Sequence, residues 1–472
     1  MEFQKIKLHR SEKNGSAVTQ ITLDDDYNIP DYRQDIVKVI KERGELRFDE
    51  VKAMEGTAWI KGSLVFKVLY RSDKQEGKIS CLRGEIPFQE RLNMDGLSEY
   101  DAVHAVGDIE DLTIGVINSR KLNIRAVIVL TASAEKELDE ELTCELSDDT
   151  GCEQNIVEKE ALKLLAVRRD ICRQKSEAVL PSSKPNIREI LWQSMQLRNV
   201  ESRLTEGNIR LSGEILVSIL YNDEEEGEHL SWYETTIPLD AQAECGVIEN
   251  DCIWQVQMIP VTMELEVKPD YDGEERILVM ELALDTHIRI WKEEKIRLLT
   301  DLYSLQKEIK PVVRECPLER LLVKNAAKCR LTEQMELKED KEKVLQICSC
   351  EGKVLLERQE IKPDGVLAEG TVEVNILYIT PDDHMPVGAV QEIYPFSQLV
   401  EIPEMSAQAK VELDTSLEQL SAVMLDQEHV EIRAAVRLDL IAFVQEFMQN
   451  IEDATESEPD LEMLRNRPGL VG

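Results

Sequence analysis

No run of apolar residues in this chain approaches the roughly 20 needed to cross a bilayer as a helix, and Met1 to Gly15, MEFQKIKLHRSEKNG, holds no apolar stretch of the signal-peptide kind. Both absences lead to the expectation of a cytosolic protein. Cys81, Cys144, Cys152, Cys172, Cys245, Cys252, Cys316, Cys329, Cys348 and Cys350 follow no repeated spacing, which in a large unsecreted chain predicts free thiols and no disulfides. Aromatic residues are only 5% of the sequence, too few to favour a row of exposed rings facing carbohydrate. Basic residues are outnumbered 56 to 93, for a formal charge of −37. That balance disfavours nucleic acid and anionic membrane as partners and suits a protein partner better.

Recognisable catalytic motifs are missing as well. There is no G-x-S-x-G, H-E-x-x-H, P-loop or G-x-G-x-x-G. His9, His104, His229, His287, His384 and His429 fall at unequal places in the repeat described next, as incidental histidines do. We therefore expect no catalytic residue, no cofactor and no metal. A Ser or Cys triad assembled in space from loops is the competing expectation from another class.

What the sequence does contain is one strand written three times: GSLVFKVLY from Gly62 to Tyr70, GEILVSILY from Gly213 to Tyr221, and GTVEVNILY from Gly370 to Tyr378. The second, fourth and sixth positions after each glycine are apolar (Leu64, Phe66, Val68; Ile215, Val217, Ile219; Val372, Val374, Ile376), the period-two pattern of a strand with one buried face. Lys67, Ser218 and Asn375 on the other face point to an antiparallel sheet covered on one side. The tyrosine ending each strand face is expected to be buried with its hydroxyl at the rim. A second mark, Pro87, Pro238 and Pro395, follows each tyrosine by 17 residues; proline cannot donate to a ladder and belongs at a strand start or sheet edge. A third, LNIRAVIVL and VEIRAAVRL, places Arg125 and Arg433 38 residues beyond their prolines, with Met280 read at the corresponding place in copy two. Fixed spacings repeated in this way establish an internal repeat.

In order, residues 1–27 read as a lead-in with room for one edge strand in the weak alternation around Val18 to Leu23, 28–147 as the first module, 155–305 as the second, 318–450 as the third and 451–472 as an acidic linker tail. Modules one and two open on proline segments, NIPDYRQDIVKVI and VLPSSKPNIREIL. Ile36, Val39 and Ile40, like Ile187, Ile190 and Leu191, stand at helical spacing and predict a short helical turn. Ile156 to Ile171 is compatible with helix by composition and with strand by analogy. The same ambiguity covers Leu302 to Leu337, with Leu318, Leu321, Leu322 and Ala326 at helical spacing. The fold expected is all-β and mainly antiparallel: three tandem sandwich-like modules with short helical segments.

Three features invite a chemical reading. On a regular strand Cys348 and Cys350 would face the same way, but a zinc site wants four ligands and no second pair is near. The acidic runs Asp24 to Asp26 and Asp223 to Glu226 hold only half of a calcium loop and read as solvated turns. Arg125 and Arg433 are read as structural or surface residues.

PDYRQDIVKVI, KGSLVFKVLYRSD, EIPFQERLNMDG and NSRKLNIRAVIVL in copy one, with SSKPNIREILW and TDLYS in copy two, together resemble the SPOCS domain of clostridial spore-coat proteins. The resemblance spans about Asn28 to Phe443. It implies a non-enzymatic scaffold or adaptor of spore coat assembly on the mother-cell side of the forespore, with tandem modules spacing weak binding surfaces along the coat. The partners it implies are proteins of the coat basement layer, a SpoIVA-type ATPase among them, met through a C-terminal LysM domain. Nothing after Phe443 resembles LysM, which leaves direct binding of that ATPase by this chain an open expectation, as is self-association. The alternatives are an envelope- or carbohydrate-facing binding protein and, less favoured, a hydrolase with loop-borne residues.

Overall fold

A computed structural model describes residues 1–72, 78–147, 151–224, 229–247, 249, 251–305, 307–338, 341–403 and 405–457. Every regular element among them is a strand. The turns at 73–77 and 225–228, the linker at 148–150 and the tail from 458 onward lie outside the described residues.

The first copy contains β1 (Phe3–Asn28), β2 (Ile36–Met54), β3 (Thr57–Ser72), β4 (Ile79–Asn93), β5 (Ala102–Asn118) and β6 (Lys121–Leu146). The second contains β7 (Cys152–Val179), β8 (Ile187–Leu204), β9 (Asn208–Asp223), β10 (Leu230–Glu244), β11 (Ile253–Pro269) and β12 (Glu275–Ser304). The third contains β13 (Glu308–Glu336), β14 (Gln346–Lys362), β15 (Gly365–Ile379), β16 (Val387–Glu401), β17 (Lys410–Met424) and β18 (His429–Ser457). Each copy forms two antiparallel three-stranded sheets, β2-β3-β4 and β1-β6-β5 in the first, with the same orders in the others. The two sheets face each other across a private core, to which β3 gives Leu64, Phe66, Val68 and Tyr70 and β6 gives Ile124, Ala126, Ile128 and Leu130.

The sheets redraw the expected boundaries. The lead-in at 1–27 is a full strand paired along its length with β6. The third copy begins at Glu308, and residues 451–457 of the expected tail complete β18 against β13. Among the described residues the short helical segments are not found. Ile36 to Ile40 opens β2 and Ile187 to Leu191 opens β8, while Ile156 to Ile171 and Leu318 to Ala326 lie within β7 and β13.

Nor are the modules beads on a string. Strand β4 lies against β8, β10 against β14, and β16 against β2, so the contacts run from copy one to two to three and back to one. The ring is closed. Beyond the sandwiches, the far ends of the long strand pairs β1/β6, β7/β12 and β13/β18 gather around the same pseudo-threefold arrangement, burying Leu146, Leu302 and Ala454, one from each copy, in a shared apolar cluster.

Candidate functional site

The nine signature residues lie on β3, β9 and β15 and on their neighbours β4, β10 and β16. Tyr70, Tyr221 and Tyr378 are fully buried, and each hydroxyl donates to a backbone carbonyl 36 residues earlier: Gln34 at 3.1 Å, Pro185 at 3.1 Å and Glu342 at 3.0 Å. Each thereby ties its strand to the segment opening its module. Burial raises all three hydroxyls above the ordinary phenol range, Tyr221 to about 12. Gly62, Gly213 and Gly370 leave room for the neighbouring strand. A Cβ there would stand 2.4, 2.9 and 2.2 Å from the carbonyl oxygens of Arg47, Arg198 and Leu355. Pro87, Pro238 and Pro395 lie on β4, β10 and β16, the edge strands of their sheets, where a missing donor breaks no central ladder.

The most unusual part of the molecule is the junction where the copies meet. A β-bulge at Ile40, Leu191 and Cys348 interrupts the pairing of β2, β8 and β14 at the same place in every copy. Bulges re-aim a side chain, and these three join Leu69, Leu220 and Leu377 in a single apolar cluster drawn from all three copies. Those leucines immediately precede the signature tyrosines, so each signature strand points its tyrosine into its own module and its leucine at the common junction.

Beside that cluster the threefold likeness breaks. Glu351 of β14 is buried and accepts from Lys41 Nζ at 3.1 Å and Arg43 Nη1 at 2.9 Å, both on β2 of copy one, and from Trp192 Nε1 at 3.0 Å on β8 of copy two. Burial alone raises the Glu351 carboxyl, but the Lys41 and Arg43 charges, together with the donated hydrogen bonds, hold it below the usual carboxylate range. In copies one and two the matching positions are Arg43 and Ser194. One copy thus supplies the anion, another the cations and the third an indole donor.

Two further buried groups join copies in the same way. Arg289 of β12 pairs with Glu135 of copy one at 3.4 Å and with Glu412 of copy three. Asn450 of β18 accepts from the Thr143 amide at 2.9 Å and donates to the carbonyls of Thr143 at 2.8 Å and Leu299 at 3.2 Å, spanning all three copies. Next to Arg289, the rings of His104 and His287 from copies one and two lie 4.8 Å apart.

The arginine of NSRKLNIRAVIVL that matters most is Arg120. Its guanidinium donates to the carbonyls of Arg33 at 2.8 Å, Pro30 at 3.0 Å and Ile29 at 3.2 Å, clamping the proline segment. Arg276 does the same for copy two through Pro181 at 2.7 Å and Lys184 at 3.0 Å. Sequence reading passed over these clamps and the junction residues. The spacing of the copies does align Glu351 with Arg43, a reversal of charge that marks the site once the repeat is treated as a ring.

The chemical candidates are not brought together. Cys348 belongs to the common junction, whereas Cys350 packs on the core of copy three; the bulge at Cys348 separates two side chains that a regular strand would align. Burial pushes both thiols up to about 12, and none of the ten cysteines is joined in a disulfide. Arg125 is exposed and Arg433 pairs with Glu431 on the surface. Their counterpart in copy two is Glu281, paired with Lys175 at 2.5 Å, rather than Met280, which is buried as Ile124 and Ile432 are. Asp26 of the first acidic run pairs with Lys121. Among the described residues no group of three or more His, Cys, Asp or Glu is placed to hold a metal.

Comparison with family models matches residues 35–117 and 343–425 to the description "SipL, SPOCS domain". The matched segments are β2 to β5 and β14 to β17 almost end to end. Strands β8 to β11 repeat the same arrangement in the copy between them. No curated protein and no solved structure matches the chain.

Proposed function

This chain is a SipL-like, SPOCS-domain protein, a family that carries a sporulation-related role, and on that premise we propose that it is a non-enzymatic scaffold of spore coat assembly. The observation supporting this reading most is where the chain spends its buried polar groups: Glu351, Arg289 and Asn450 each bond to two other copies. A buried charge or amide that is fully paired adds little net stability over an apolar residue but can fix one arrangement over its alternatives. Three similar copies able to meet in several registers gain a unique order from such groups. The product is a rigid body that carries three related but unequal surfaces around one axis.

This revises the picture of modules strung along the coat. Multivalency here comes from a preformed ring, in which three sites held at fixed angles gain effective concentration without linkers. The partners proposed are proteins of the coat basement layer, met on the mother-cell side of the forespore. A tagged full chain, used to capture proteins from sporulating and vegetative clostridial lysates, tests this. Coat-layer proteins recovered only from sporulating cells are the expected result; the same proteins absent from both, or an unrelated set common to both, would contradict it.

A further inference from the structure

Arg43, Lys67 and Arg83 stand abreast on β2, β3 and β4, Lys67 being the direct cross-strand partner of the other two. Like charges placed directly opposite one another in a sheet repel. Arg43 is drawn toward Glu351 at 2.9 Å and Glu45 at 3.1 Å. Lys67, half-buried, and Arg83, exposed, form no ion pair with the described residues. The fold does not require the row: the same positions are Ser194, Ser218 and Glu234 in copy two, where the Ser218 hydroxyl bonds Glu234 at 3.0 Å, and Glu351, Asn375 and Gln391 in copy three.

The row opens into a cavity of about 530 Å³ between copies one and two, with Arg47 also on its floor and β11 from Pro260 to Glu266 as its opposite wall. Glu45 lines the same floor, and Arg47 is paired with Asp49 at 3.3 Å and Glu85 at 3.2 Å, so Lys67 and Arg83 are the two cations of the lining without an ion pair to the described residues. Glu264 and Glu266 line the far wall, so an anion is repelled there and drawn toward Lys67 and Arg83.

We propose that this cavity binds a small oxyanion, a phosphoryl- or carboxylate-bearing molecule, seated on Lys67 and Arg83 with Arg43 and Arg47 around it. Glu45 and Glu351 favour the Lys67 charge from a distance, and the ligand supplies the direct ion pair that Lys67 lacks. Burial depresses the Lys67 ammonium, and a bound anion reverses that depression. Because the site lies between two copies, occupancy also braces the junction, independently of what the scaffold carries.

Isothermal titration of the full chain at fixed ionic strength, with pyrophosphate and with citrate as probes and chloride as the competing ion, tests the site. Saturable binding of at least one probe at one site per chain is expected, and the tighter probe tells phosphoryl from carboxylate chemistry. Lys67→Ser with Arg83→Gln should weaken that binding at least tenfold while melting no lower than the parent, since like-charge repulsion has been removed. Arg83→Gln alone, at an exposed position, serves if the double variant folds poorly and should weaken binding severalfold. Lys353→Ser, which breaks a surface pair with Asp108 outside the cavity lining, should leave binding unchanged. Absence of binding by both probes, or binding undiminished in Arg83→Gln and the double variant, would overturn the proposal.

Discussion

Replacing Glu351 by Gln removes the one anion on which two copies of the chain converge. Lys41 is buried, its side chain 6% exposed, and Arg43 is 27% exposed, so water reaches the first hardly at all and the second only in part. Leaving a buried charge without its partner costs about 3–5 kcal/mol. Glutamine keeps an acceptor for the Trp192 indole, and Arg43 retains Glu45, which puts the expected loss near the low end, about 3 kcal/mol. The sign with pH follows from the depressed carboxyl. Its folded value lies below the ordinary 4.5, so the contribution is complete above that value and fades as pH falls through the folded one. Urea unfolding followed by tryptophan fluorescence should show the parent more stable than Glu351→Gln by about 3 kcal/mol at pH 7, with the gap closing toward pH 3. Adding Lys41→Met should recover part of the loss, because the stranded ammonium is then gone. A loss below about 1 kcal/mol, the range of an exposed pair, or a gap that does not change with pH, would refute the assignment.

Gly62→Ala and Gly370→Ala should destabilise by about 1–3 kcal/mol through overpacking, and Gly213→Ala by less, because its Cβ would have 2.9 Å to the carbonyl against 2.4 and 2.2 Å; thermal denaturation of the three variants gives the order. Tyr378→Phe keeps the buried ring and deletes only the bond to Glu342, a loss of about 1 kcal/mol readable by urea titration. Burial lowers His104 and His287 below 6.5, the nearby Arg169 and Arg289 adding to it while Glu135 and Asp285 oppose. The unfolded chain therefore binds protons first, and the stability these residues contribute is present above pH 6.5 and lost as pH falls below it. Between pH 7 and pH 5 the parent should lose more of its melting temperature than the His104→Gln, His287→Gln variant, and equal losses would discount the pair.

The repeat was legible because a half-buried strand writes itself in period two, and its glycine, tyrosine and proline stand where geometry allows little else. The false helical turns have a physical origin. Pairing slips at Ile36/Lys38 and again at Val39/Lys41 in β2, at Ile187/Glu189 and Ile190/Trp192 in β8, and at Leu321/Val323 in β13. Each slip inserts a residue and converts the spacing of two into one of three or four, which imitates a helix. The closed ring was not legible, because Leu69, Leu220 and Leu377 look like ordinary members of their strands until three copies are set around one axis. Strand β1 was missed as part of the first module because its alternation is weak where it pairs along an exposed edge. Glu351 was overshadowed by the cysteines beside it, which turned out to serve two different cores.

Differential scanning calorimetry of the full chain tests the closed ring most directly. If the copies share one junction, none can unfold without exposing the apolar cluster and stranding Glu351, Arg289 and Asn450, and the chain should melt in a single cooperative transition whose calorimetric and van't Hoff enthalpies agree. Two or three separable transitions, each carrying about one module's share of the enthalpy, would show that the copies stand alone and would contradict the account.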